Sequence, residues 1–185
     1  MNFKLTLGAV IMALTFSHAA LADGETPTDN TNVPTTGKIH FSGELVASTC
    51  GLKPGQDPIE VEFGQIPIGS LTPDTHVGLT EKNIELQGCD TTTLKHATVT
   101  YTPAQNEEAN SSLAAFTTGD ASGAGIGLIA HDGKTVTWGE ATSVTNLVNG
   151  DNSIPFKAYV QRVAKEIIPT PGQFESTINF QIDYN

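Results

Sequence analysis

Gln173–Tyr184 reads QFESTINFQIDY, and its alternation decides the fold. Phe174, Ile178, Phe180, Ile182 and Tyr184 share one face of an extended chain, with Ser176 the one polar interruption. Glu175, Asn179, Gln181 and Asp183 lie on the other face. A period of two belongs to a half-buried strand; an amphipathic helix would repeat every three to four residues. The same pattern recurs upstream. Ser153–Val163 (SIPFKAYVQRV) alternates through Ile154, Phe156, Ala158 and Val160. Ala97–Thr102 (ATVTYT) is rich in β-branched and aromatic residues, Asn83–Cys89 supplies Ile84 and Leu86, and Ile59–Ile66 (IEVEFGQI) places Ile59, Val61 and Phe63 on one side. Near the other end, Gly37, Ile39, Phe41, Gly43 and Leu45 alternate with Lys38, His40, Ser42 and Glu44. Turn signals separate these runs: Lys53-Pro54-Gly55, Thr72-Pro73-Asp74, Asp132-Gly133, Asn149-Gly150 and Pro169-Thr170-Pro171-Gly172. Short alternating strands between regular turns predict a β-sandwich. Gln105–Gly125 is small and polar and reads as loops with at most one short strand or helical turn.

The chain has 185 residues and a formal charge of −11. Leu5–Phe16 is an apolar run behind Lys4, and Ala20-Leu21-Ala22 is a small-x-small site, the layout of a cleaved secretory signal over residues 1–22. The apolar run, at about 1.5 Å per residue, is too short for a membrane span. Removing 22 of 185 residues leaves 163, enough for one immunoglobulin-sized core but not for a multidomain enzyme. So acidic a domain repels phosphate backbones, which argues against a nucleic-acid partner. Asp23–Thr36 is polar, carries two prolines and cannot bury enough apolar surface to order itself. Cys50 and Cys89 are an even pair in an exported chain and read as one disulfide. The rival readings are a redox pair, or a zinc site, which needs four ligands, and no CxxC or HxxxH accompanies these cysteines.

Catalytic chemistry finds little purchase. His40, His76, His96 and His131 are not spaced as metal ligands, no GxSxG nucleophile motif occurs, and Glu107-Glu108 sits in a polar stretch where adjacent carboxylates point apart. Gly123, Gly125 and Gly127 (GAGIG) lack the strand-then-helix setting of a dinucleotide fingerprint. Asn110-Ser111-Ser112 matches a glycosylation sequon short enough to arise by chance. Trp138 with Tyr101 or Tyr159 could stack a sugar, against the plainer reading as core aromatics. No metal, cofactor or catalytic set is expected.

The two ends carry more. A strand that runs to the last residues needs a neighbour on each side or leaves an open apolar edge. The terminal strands could pair within one chain; they could also pair between chains. Here the residues resemble a family. Gly37-Lys38-Ile39-His40-Phe41-Ser42-Gly43-Glu44-Leu45 before Cys50 is similar to the GxΦxFxGxΦ stretch (Φ apolar) ahead of the first cysteine of chaperone–usher pilins, such as the major subunits of type 1 fimbriae of Gram-negative bacteria. Cys89 falls where the second pilin cysteine does. Gly172 lies fourteenth from the end, Tyr184 is penultimate, and Phe156–Arg162 (FKAYVQR) resembles a pilin strand.

The resemblance implies an all-β, incomplete immunoglobulin-like sandwich with one disulfide and an N-terminal donor-strand extension over residues 23–42, ahead of a pilin domain over 43–185. It implies a structural subunit that polymerises by donor-strand exchange, with a minor adaptor or glycan-binding subunit as the alternative. Val33, Thr35, Ile39 and Phe41 would be donor side chains and Gly37 the donor glycine. Pro34 interrupts that register, since proline removes one ladder hydrogen bond. Gly172, Phe174, Ile178, Phe180, Ile182 and Tyr184 would form a wall of the acceptor groove, and Asn185 would offer its carboxylate to a chaperone. Implied partners are neighbouring pilin subunits, a periplasmic chaperone, an outer-membrane usher and, through the assembled fimbria, a host glycan. The implied route is export through the periplasm to the cell surface.

Overall fold

A computed structural model describes residues 36–185. They fall into two units, one ending at Gly43 and one spanning Glu44–Asn185. In the first unit, residues 36–43 carry no regular secondary structure, and Ile39 and Phe41 are exposed. The expected signal peptide and the donor positions Val33 and Thr35 lie outside the described residues.

The second unit is an antiparallel sandwich. Its strands are β1 (Gly51–Leu52), β2 (Val77–Cys89), β3 (His96–Pro103), β4 (Thr118–Gly119), β5 (Ala124–Ile129), β6 (Thr145–Asn146), β7 (Gly150–Arg162), β8 (Phe174–Glu175) and β9 (Ile178–Tyr184). One sheet runs β1-β2-β7-β5, a second β6-β3-β9, and β4 pairs with β8. The central pair β2/β7 sets Ile84 opposite Ile154 and Lys82 opposite Phe156. Because side chains alternate, Ile84, Leu86, Ile154, Phe156 and Ala158 all turn to one face, where they meet Ala97, Val99 and Tyr101 of β3. The only helix among the described residues is one 3-10 turn at Ile68–Ser70. The two cysteines are joined, Cα to Cα 4.1 Å, tying the segment before β1 to the end of β2.

Two readings need correction. β2 starts at Val77, not Asn83: a bulge between Val77 and Thr80 interrupts the alternation there. The stretch read as loops up to Gly125 contains β4 and the start of β5. The glycines hid β5, and they are there for packing. A Cβ on Gly127 would overlap the ring of Tyr159, which lies across that position from the neighbouring strand. For the aromatics the plainer reading holds. Tyr101 and Tyr159 are buried and Trp138 packs half-buried against the core, so they form no sugar platform.

Candidate functional site

β9 is paired along one edge only. Its partner is β3, in a register running from Ala97↔Tyr184 to Pro103↔Ile178. No strand among the described residues pairs with its other edge. Ile178, Phe180, Ile182 and Tyr184 turn inward and pack against the core, yet each stays only half-buried, while Asn179, Gln181 and Asp183 face solvent. A finished sandwich would cover such a row completely, as it covers Ile84 at 0% exposure and Ile154 at 1%.

The facing wall is the segment read as a strand at Ile59–Ile66. Ile59, Val61 and Phe63 are half-buried and packed on the same core, with Glu60 and Glu62 outward, so the side-chain alternation is that of a strand. Among the described residues, however, the segment joins no ladder. Two unpaired edges with apolar faces therefore flank a groove. Unpaired edges normally end in protective charges, prolines or bulges because they recruit other strands. Along β9 the inward face is bare of them.

At the end where β9 begins, the groove opens into a cavity of about 650 Å³. Phe63, Ile66, Leu71, Phe116, Val160 and Phe174 supply its apolar lining. Phe116 stacks on Phe174 with centroids 4.3 Å apart, and Phe63 tilts against Phe174 at 6.1 Å. β8 and β9 part at Ser176-Thr177, where Ser176 Oγ donates to the carbonyl of Ala115 at 2.7 Å; the polar interruption in the sequence is this crossing. Gly172 lines the same cavity. A Cβ there would come within 2.5 Å of the Ala121 amide nitrogen, so the chain can pass this closely only as glycine. At the opposite end, the Asn185 oxygen accepts the amides of Lys95 and His96 at 3.0 and 2.9 Å, which fastens the end of β9 to the start of β3.

Of the predicted wall residues, Gly172 and Phe174 line the cavity, while Ile178, Phe180, Ile182 and Tyr184 form the half-buried inward row of β9. Sequence reading missed the opposite wall, Ile59, Val61 and Phe63, and the cavity residues Leu71 and Phe116. The alternation of Ile59–Phe63 was the available signal, but nothing in it says that the strand lacks a partner. Titratable chemistry is sparse here. Burial raises the Tyr184 hydroxyl above its ordinary range and pushes Tyr101, deeper in the core, up to about 12. No cluster of metal-ligating side chains occurs among the described residues. His76 stacks on Tyr159 at 3.7 Å, and His96 shares a hydrogen bond with Asn146 at 2.9 Å.

Comparison with known proteins fits this geometry. Residues 39–185 match the family described as Fimbrial protein. The chain is 45% identical over 183 residues to a major fimbrial subunit of Proteus mirabilis, covering 98% of this chain and 99% of that one. It is 29% identical over 193 residues to a type-1 fimbrial protein, A chain, of Escherichia coli, covering both chains fully. Among solved structures it resembles a subunit of a chaperone–usher pilus, with a TM-score of 0.70 at 23% identity, covering 82% of this chain and 96% of that one. It also resembles the P pilus rod subunit PapA, with a TM-score of 0.63 at 20% identity, covering 75% and 100%.

Proposed function

The chain belongs to the fimbrial protein family, and on that premise we propose that it is a structural subunit of a bacterial fimbria that polymerises by donor-strand exchange. The observation that carries this reading is the pair of open edges, β9 and residues 59–66, with a half-buried apolar row between them. An added strand would restore the missing seventh strand of an immunoglobulin-like sandwich. Its backbone would satisfy both edges and its alternate side chains would fill the groove.

The strand comes from the extension of a second copy, with Val33, Thr35, Gly37, Ile39 and Phe41 as its inward residues. The alternation runs on through Gly43 to Leu45, which is 102% exposed. A strand that continues an antiparallel sheet runs opposite to β9, so the later residues of the donor meet the beginning of β9. Thr35–Leu45 and Phe174–Tyr184 are equal in length, and Leu45 then enters the cavity beside Phe174. Gly37 and Gly43 are the two places where the donor presents no side chain. Each subunit gives one strand and receives one, and such heterologous contacts build open filaments.

The remaining roles follow from that cycle. Residues 1–22 are a signal for export through the periplasm, 23–42 the donor extension and 43–185 the pilin domain, with the donor strand overlapping the start of that domain as far as Leu45. A periplasmic chaperone covers the groove before polymerisation, with β9 and the Asn185 carboxylate as its contacts, and an outer-membrane usher receives the complex. The domain has no enzymatic role in this reading. Adhesion to host glycans belongs to the assembled fimbria, since the buried Tyr101 and Tyr159 leave this domain no aromatic sugar platform.

The test is a melting experiment. A chain beginning at Ala47, with its disulfide intact, is melted with and without a synthetic Val33–Val46 peptide. Control peptides carry Gly37→Arg or Gly43→Arg. The native peptide should raise the Tm by about 10 °C or more, because a ligand of the folded state alone stabilises it by mass action. A truncated domain that is already stable and ignores the peptide would sink the reading.

A further inference from the structure

Two exposed apolar tips lie at opposite ends of the sandwich, and each is tied by side-chain hydrogen bonds to its own backbone. Ile167 and Ile168 follow β7 and are 38% and 78% exposed. Arg162, the only arginine of the chain, spends its guanidinium on this loop: Nε donates to the Ile167 carbonyl at 2.6 Å and a terminal nitrogen to that of Lys165 at 2.5 Å. Just before β7, Val148 is 62% exposed. The Asn152 side chain clamps it, accepting the Val148 amide at 2.9 Å and donating to the Val148 carbonyl at 2.7 Å. Ordering a loop costs conformational entropy. Within one subunit, nothing is gained by ordering a loop to display an isoleucine or a valine to water.

The tips cannot meet in one molecule. The 13 residues of β7 lie between them, roughly 40 Å of strand. A head-to-tail polymer brings them together. Pro169–Gly172, directly after Ile168, line the cavity at the start of β9. With Leu45 of a donor seated there, five Cα steps lead to the donor's Cys50, at most about 18 Å. Cys50 is bonded to Cys89, and Cys89 pairs with Gly150, two residues from Val148. The donor's Val148 end is therefore drawn to the acceptor's Ile168 end by the length of the linker.

We propose that Ile167 and Ile168 of one subunit pack on Val148 of the next copy, a contact between successive subunits outside the groove. The proposal rests on the strand-donation reading above. It gives the filament a second point of attachment at each joint, so that a joint is a seated interface rather than a tether around residues 46–49.

The test uses fimbriae assembled by cells that express the full chain. A subunit carrying Ile168→Cys and Val148→Cys should yield, after boiling without reductant, a covalent ladder of multimers that collapses on reduction. Each single cysteine variant should give no ladder of that length. Fimbriae that assemble from the double variant yet boil to monomers overturn the proposal. If the double variant does not assemble, charge pairing decides. Ile168→Lys and Val148→Glu should each speed thermal loss of subunits from the filament about tenfold, as expected for one lost apolar contact, and together restore the wild-type rate. Losses that simply add overturn it. Wild-type fimbriae that form without strand donation would instead remove the premise, which separates the two failures.

Discussion

The two halves of this sandwich have the same sequence pattern and different burial. β2 and β7 bury Ile84, Leu86, Ile154 and Val160 to 1% exposure or less. β9 and residues 59–66 alternate just as regularly, but Ile59, Val61, Phe63, Ile178, Phe180 and Ile182 remain half-buried. The difference lies in neighbours. β7 has a strand on each side, whereas β9 has β3 alone and residues 59–66 have none among those described. A side chain on a strand is sealed by the chains beside and opposite it, so identical alternation gives a finished core in one half and an open apolar row in the other.

Truncation should break this comparison open. In the free subunit, Ile84→Ala should cost about 2–5 kcal/mol, the usual range for a sealed aliphatic side chain. Phe180→Ala should cost well under half of the 3–5 kcal/mol of a buried phenylalanine, because its face is already wet. With the donor peptide bound, the Phe180→Ala penalty should climb into that full range and the Ile84→Ala penalty should stay where it was. Denaturant melts of both variants with and without peptide measure this. Equal penalties in the two states for Phe180→Ala would mean that the groove is not where the strand goes.

Sequence reading went furthest where the pattern was local. The row Phe174–Tyr184, the alternation of β7 and the pairing of Cys50 with Cys89 were all legible, because periodicity and cysteine parity need no knowledge of the neighbours. β5 was not, because Gly125 and Gly127 take positions where a strand former would be expected. Their reason lies elsewhere in the chain: a Cβ on Gly125 would meet Ala114 and Leu113, and one on Gly127 would strike Tyr159. The beginning of β2 was lost to the bulge beside Gly78, whose backbone takes φ of +68°. Ile59–Ile66 was legible as a strand and illegible as an unpaired one. Pairing is a property of two segments, and a missing partner leaves no mark on the one that lacks it. The same limit explains why Phe116 and Leu71 went unnoticed: they reach the cavity from loops with no periodicity of their own.

The smallest expected effect is a titration, and it separates the halves by chemistry instead of by size. Tyr101 is 3% exposed on the sealed side, and desolvation pushes its hydroxyl up to about 12. Tyr184, on the open row, is raised in the same direction by burial that is only partial. A phenol whose pKa is raised on folding holds its proton longer in the native state. Stability is then fully present below the unfolded value near 10 and is lost as pH rises through the folded value. For Tyr101 the loss between about pH 10 and 12 is on the order of 2–3 kcal/mol. Filling the groove should leave that titration in place, because Tyr101 is already sealed from water in the free subunit. It should move Tyr184 further upward, because the added strand removes the water still beside its ring. Absorbance titration of Tyr184→Phe against the parent chain, with and without donor peptide, isolates that one phenol. A Tyr184 curve that ignores the peptide would place the donor strand short of the end of β9, with its register shifted toward the cavity.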